Sequence, residues 1–252
     1  MHPASQSAGA NVINIASGKG GVGKTWLAIT LSHALAGHGR RVLLFDGDLG
    51  LANVDIQLGL DVHGDLGGVV AGRIPLNKVI TAFAEGGFDI VAGRSGSGAL
   101  ADLAPARLHR LQSDLWLAAQ RYDRVIIDLG AGVEAGVRAL TPRGGVTLVI
   151  VTDEPTSLTD AYAFIKVTLK QNPKADIRVV VNMASDRRQG ERTYATLAKA
   201  CKTFLKLMPP LAGIIRRDER VPEAIRRQTA FLARHPGSDT AKDVDAIAAR
   251  LL

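Results

Sequence analysis

The chain has 252 residues, a formal net charge of +7, and 46% hydrophobic, 22% charged and 4% aromatic residues. That balance fits a globular protein of one large α/β domain or two small ones, with a core of Val, Ile, Leu and Ala. The single cysteine, Cys201, excludes a disulfide framework or a cysteine-ligated metal cluster built from one chain, and no apolar run approaches the roughly 20 residues that span a bilayer. Residues 1–10 are small and polar, without the apolar centre of a signal peptide. The expected location is cytoplasmic, at most peripheral at the inner face of the membrane. The positive charge admits nucleic acid or an anionic membrane as a partner, but acidic and basic residues are mixed through most of the chain, as on ordinary solvated helices.

Short apolar runs rich in β-branched residues recur at 12–16, 42–45, 88–91, 124–127, 146–151, 177–181 and 211–215. Such runs suit strands buried on both faces. Between them lie helical patterns: Leu27, Leu31 and Leu35; then Leu108, Leu111 and Leu115; then Tyr162, Ile165 and Leu169 after Pro155. Alternating strands and helices predict a doubly wound, mainly parallel sheet of about seven or eight strands flanked by helices. Residues 59–98 are glycine-rich and read as loops and short helices around one strand. A short flexible N-terminus (1–11), one domain (12–238) and a C-terminal amphipathic helix (239–252) complete the expected organisation.

The first strand runs into Ser17-Gly18-Lys19-Gly20-Gly21-Val22-Gly23-Lys24-Thr25, and a helix follows. Gly18, Gly23, Lys24 and Thr25 occupy the fixed positions of a P-loop. Glycines let backbone N–H groups close around phosphate oxygens, and the helix start adds a positive dipole end. Lys24 supplies a charge for the terminal phosphates, and Thr25 a hydroxyl for Mg²⁺. Asp46 and Asp48 follow the second strand and Asp128 the fourth, all at the sheet edge that carries the P-loop. A carboxylate there can hold Mg²⁺, orient water, or cap the next helix. Two carboxylates as close as Asp46 and Asp48 repel without a cation. Asn182, at the end of a later strand, offers a donor and an acceptor that match an adenine edge or satisfy a turn.

Lys19 makes the loop resemble the deviant Walker A motif of the MinD/ParA ATPases, a P-loop NTPase family of the SIMIBI type. The resemblance implies ATP and Mg²⁺ as cofactors and an ATP-dependent homodimer, with slow, dimerisation-dependent hydrolysis to ADP and phosphate. It implies that Lys19 reaches the partner's phosphates, that residues 18–25 with Asn182 bind nucleotide, and that Lys24 and Asp48 act with Lys19 in catalysis. Thr25, Asp46 and Asp128 would hold Mg²⁺, partly through water. Gly130 and Gly132 match switch II, and Asp55 matches switch I or caps a short helix. Residues 46–55, 90–98, 151–163 and 221–228 are most similar to the FlhG/FleN branch, which controls flagellar number and placement. Its partners would be an FlhF-like GTPase, flagellar switch proteins or a flagellar transcription regulator.

Three positions depart from the branch. Residues 1–11 lack its GTPase-activating motif, Leu129 stands where a hydroxyl residue is usual, and Trp26 follows the P-loop threonine in place of a smaller side chain. Val244, Ile247, Ala248, Leu251 and Leu252 form an apolar face on the last helix, suited to a membrane or to packing on the domain. An alternative is a ParA-like segregation ATPase that binds DNA nonspecifically through Arg216, Arg217, Arg220, Arg226, Arg227 and Arg234.

Overall fold

The computed structural model describes residues 9–48, 52–61, 66–93, 104–132 and 144–252. Eight strands form one sheet: β1 (Val12–Ala16), β2 (Val42–Gly47), β3 (Thr81–Phe83), β4 (Phe88–Val91), β5 (Arg124–Leu129), β6 (Val146–Val151), β7 (Asp176–Ala184) and β8 (Leu211–Arg216), in the order β3-β4-β2-β5-β1-β6-β7-β8. All neighbours are parallel except β3 and β4. The helices among the described residues are α1 (Lys24–Gly37), α2 (Val54–Leu58), α3 (Leu66–Val70), α4 (Pro105–Ala119), α5 (Pro155–Gln171), α6 (Arg187–Leu205), α7 (Arg220–Arg226), α8 (Phe231–Arg234) and α9 (Asp239–Ala249).

The two-residue side-chain period of a strand sorts the core into two layers. Ile13, Ile15, Leu44 and Ile126 pack beneath α1, α2, α7, α8 and α9. Val12, Leu43, Phe45, Val125 and Ile127 pack against α3, α4, α5 and α6 on the other face. Burial on both faces explains why these strands read as unbroken apolar runs.

The expected doubly wound architecture is present, with one correction of detail. The described residues of 59–98 contain two strands rather than one, because β3 pairs antiparallel to β4 at the sheet edge. The last helix is an integral part of the domain. Val244, Ile247 and Ala248 are buried in the α1 layer, and a Cβ on Gly213 would collide with Ile247, so helix and strand meet closely. Asp243 accepts from Arg216 Nε at 2.8 Å, and Arg124 donates to the carbonyls of Leu251 and Leu252. Apart from the exposed Leu252, the apolar face is therefore buried in the core, and a membrane contact through the buried residues would require undocking. At the other end, Asn11 donates to the carbonyls of Ala119 and Tyr122 at 3.0 Å, which joins residues 9–11 to the domain. Residues 1–8 of the expected flexible N-terminus lie outside the described residues, as do 49–51 and 94–98 of the branch-like stretches.

Candidate nucleotide site

Because β1, β2 and β5 are adjacent and parallel, their C-terminal ends deliver the P-loop, Asp46, Asp48 and Asp128 to one place. Gly18–Thr25 joins β1 to α1. Gly23 precedes the helix with φ +90°, and an added Cβ would strike the Asn182 amide. Glycine is required there twice over, by backbone conformation and by space. Gly21 also has a positive φ, and a Cβ on Gly18 would overlap the Asp160 backbone on α5.

Lys24 Nζ donates to Ser17 Oγ at 3.0 Å, and Ser17 Oγ donates in turn to the Lys19 carbonyl at 2.6 Å. Burial lowers the Lys24 pKa, while the Asp128 and Asp48 charges oppose that shift. Lys19 turns away from its own phosphate loop. Its ammonium is paired with Glu154 and donates to Thr156 Oγ1 at 2.8 Å, both at the start of α5. The role implied for Lys19 is in a partner's site, and within its own chain the side chain is parked on an exposed carboxylate.

Asp46 and Asp128 are register partners on β2 and β5, and both are almost wholly buried. Desolvation, together with the Asp46 charge, pushes Asp128 up to about 7. Desolvation also raises Asp46 to about 6, against the pull of three backbone N–H groups. Those donors are Asp48, Asn53 and Val54, at 3.2, 3.0 and 3.1 Å. Both Asp46 oxygens are thus engaged by the loop that carries Asp48 and by the start of α2. These hydrogen bonds leave the expected part of Asp46 in holding Mg²⁺, partly through water, as a proposal.

Asp128 has a donor set that fits a hard cation. Its Oδ1 has no hydrogen-bond partner among the described residues, and the Thr25 hydroxyl lies within hydrogen-bonding reach of its carboxylate. Hydroxyl and carboxylate oxygens are the ligands Mg²⁺ takes, one or two from the protein and the rest from phosphate and water. No cluster of three or more metal-binding His, Cys, Asp or Glu side chains occurs among the described residues. Gly132, at φ +102°, donates its N–H to the Ser17 carbonyl at 3.0 Å, tying the segment after Asp128 to the P-loop.

A cavity of about 430 Å³ opens beyond Gly23 and is walled by Trp26, Met183, Ile215, Val221, Pro222 and Ile225. Asn182 lines it, and its Nδ2 donates to the Val22 carbonyl at 2.8 Å. Apolar walls with the Asn182 amide, and with Arg216, Arg217, Glu219 and Arg226 also on the lining, suit a flat heterocycle next to a phosphate loop. Asp218 lines the same cavity. Asp55 is buried, and its carboxylate accepts from its neighbour Ile56 N at 2.8 Å. Sequence reasoning missed Ser17 as the shelf for Lys24, and Glu154 and Thr156 as the partners of Lys19. The stretch 151–163 was singled out, but no local pattern links it to a lysine 135 residues away.

A strand-ending P-loop, two buried carboxylates and a base-sized cavity define a nucleotide-binding α/β domain. A model of the CobQ/CobB/MinD/ParA nucleotide binding domain matches residues 13–231, and the chain belongs to that family. Across 254 aligned residues it is 37% identical to the antiactivator FleN of Pseudomonas aeruginosa, covering 100% of this chain and 87% of FleN. It is 29% identical to the flagellum site-determining protein YlxH of Helicobacter pylori, covering 95% of this chain and 81% of that protein. Among solved structures, the septum site-determining protein MinD of Pyrococcus horikoshii, complexed with Mg-ADP, matches with a TM-score of 0.80 at 25% identity, covering 96% of this chain and 95% of that one. The architecture is the MinD/ParA fold.

Proposed function

We propose that this protein is an ATP-driven switch: it dimerises around ATP and Mg²⁺, hydrolyses the nucleotide slowly, and regulates flagellar number or placement. The observation that carries the switch is Lys19, a cation beside the phosphate loop whose side chain turns to Glu154 and Thr156 instead of the loop's own ligand space. The flagellar output is supported by the likeness to FleN over the whole chain and to YlxH over most of it.

The residues divide the work as follows. Loop amides of 18–25 and the α1 N-terminus bind phosphate oxygens. Lys24 leaves Ser17 for the terminal phosphates. Thr25 and Asp128 would hold Mg²⁺, which would neutralise charge on the phosphates. Asp48 orients the attacking water, and Asp46 holds the Asp48 loop in shape through its backbone hydrogen bonds. Lys19 of each protomer exchanges Glu154 for the opposite protomer's phosphates, adding positive charge where the transition state spreads negative charge. Leu129 is fully buried in the sheet and brings no hydroxyl to the segment after Asp128, which is consistent with slow turnover. The partners by likeness are flagellar: an FlhF-like GTPase, switch proteins or a transcription regulator. No helix among the described residues is long and apolar enough to cross a membrane.

The likeness to FleN and YlxH favours the flagellar reading over the DNA-segregation one. Four of the six arginines that suggested it are paired within the chain: Arg216 with Asp243 at 2.8 Å, Arg217 with Glu219 at 3.1 Å, Arg220 with Asp218 at 2.7 Å and Arg227 with Glu223 at 2.9 Å.

Lys19→Ala tests the proposal with one variant and two readouts. Purified, it should bind ATP with affinity close to wild type and lose hydrolysis. In cells, in place of the native copy, it should alter flagellar number or position. Wild-type turnover would sink the trans-acting lysine, and unchanged flagella alongside lost turnover would sink the flagellar output.

A further inference from the structure

Helix α2 has five residues, too few to hold itself together, so its ends must be anchored by tertiary contacts. Its start is anchored by Asp46, which accepts from Asn53 N and Val54 N. Its end is anchored by Gln228, whose Nε2 donates to the Ile56 carbonyl at 3.0 Å. Gln228 follows α7, the helix that supplies Val221, Pro222 and Ile225 to the base cavity. A short strut therefore connects the carboxylate beside the phosphate loop to the helix beside the base.

The backbone at Gln228 supports this assignment. Its φ is +53°, in the left-handed region, and the N–H groups of Gln228 and Thr229 close the end of α7 on the carbonyls of Ile225 and Ala224 at 3.0 Å. Glycine or asparagine is the inexpensive residue at such a helix end. A glutamine there costs conformational energy, and its side chain is what a glycine could not provide. The facing residue is a glycine: Gly59, at φ +61°, where an added Cβ would sit 3.0 Å from the Gln228 Cβ. The two turns fit each other closely.

We propose that Gln228 is a positioning residue that transmits occupation of the base cavity to the Asp46–Asp48 loop. This rests on the ATPase reading above. Base binding fixes α7, Gln228 fixes the end of α2, and Asp46 reads the start of α2 through its two amides. Hydrolysis then depends on the base as well as on the phosphates.

The test uses the full-length protein with Gln228→Glu, which keeps the shape but removes the amide donor, and Gln228→Gly, which relieves the backbone and removes the side chain. Two ligands, ATP and tripolyphosphate, are compared in the presence of Mg²⁺. Both variants should lose about fivefold in kcat with ATP, the worth of one hydrogen bond, with ATP affinity within about twofold. Their preference for ATP over tripolyphosphate as a substrate should narrow by the same factor. Hydrogen exchange gives a readout that needs no turnover: ADP should slow exchange at Asn53, Val54 and Gln57 in wild type and much less in the variants. Gln228→Gly is the control for stability, since it should melt no lower than Gln228→Glu. Unchanged kcat and equal ADP protection in both variants would overturn the proposal, as would a wild type in which ADP binds without protecting α2. A wild type that binds ADP and protects α2 but does not hydrolyse ATP would sustain the coupling and instead defeat the ATPase reading.

Discussion

Lys24→Ala is expected to abolish ATP hydrolysis and to lower kcat/KM by at least about a hundredfold, the scale of losing one preorganised charge-stabilising group. Lys24 is partly desolvated, beside Asp128 and Asp48, and rests on Ser17 Oγ. A lysine in this setting is positioned before its ligand arrives, and burial strengthens its field on a phosphate. Folding should survive, because the substitution removes a cation whose burial is unfavourable and leaves the P-loop glycines and the α1 packing in place. Nucleotide titration and turnover under identical Mg²⁺, with melting measured alongside, check this. Retained turnover in a folded Lys24→Ala protein would remove the phosphate loop from the mechanism.

Asp128→Asn is expected to do the opposite to stability while also ending catalysis. The Asp128 carboxyl is raised by burial and by Asp46 to about 7. A carboxyl with a raised folded-state pKa binds its proton more tightly in the native protein than in the unfolded chain. Its stabilising contribution is complete below about pH 4 and is lost as pH rises through about 7. At pH 8 without nucleotide or Mg²⁺, wild type therefore carries the cost of a buried charge, about 2–4 kcal/mol. Asparagine keeps the shape and never ionises. The variant should melt roughly 5–10 °C above wild type at pH 8, and above it by less than about half as much at pH 5. Mg²⁺-dependent ATP hydrolysis should vanish at both. The two proteins melting together at pH 8 would show that the charge is compensated in some other way. A destabilised site kept for its chemistry is the familiar trade between stability and activity.

Much of the architecture was legible because a parallel sheet buried on both faces writes itself as short apolar runs. Seven strands were visible on that basis. The eighth, β3, has three residues, two of them exposed, and leaves no period to read. The phosphate loop was legible because its glycines, lysine and threonine are contiguous. The carboxylates Asp46 and Asp128 were legible as strand-end residues, but the hydrogen bonds of Asp46 were not. Asp46 takes N–H groups from residues seven and eight positions ahead, and only the folded loop shows that they converge. The apolar stripe of the last helix was visible too, but whether it meets lipid or protein is decided by α1 and β8, more than 20 residues away in sequence. Gln228 was hidden for another reason: a left-handed glutamine looks in sequence like any helix-surface residue.

The claim at the centre of this protein's action is an ATP-dependent dimer, and its most direct test is the mass of the purified full-length chain in solution. In Mg²⁺ with ATP or a non-hydrolysable analogue, light scattering during size-exclusion chromatography should give twice the chain mass, and with ADP the chain mass. A single species of the same mass in both nucleotides, from protein that demonstrably binds them, would contradict the switch.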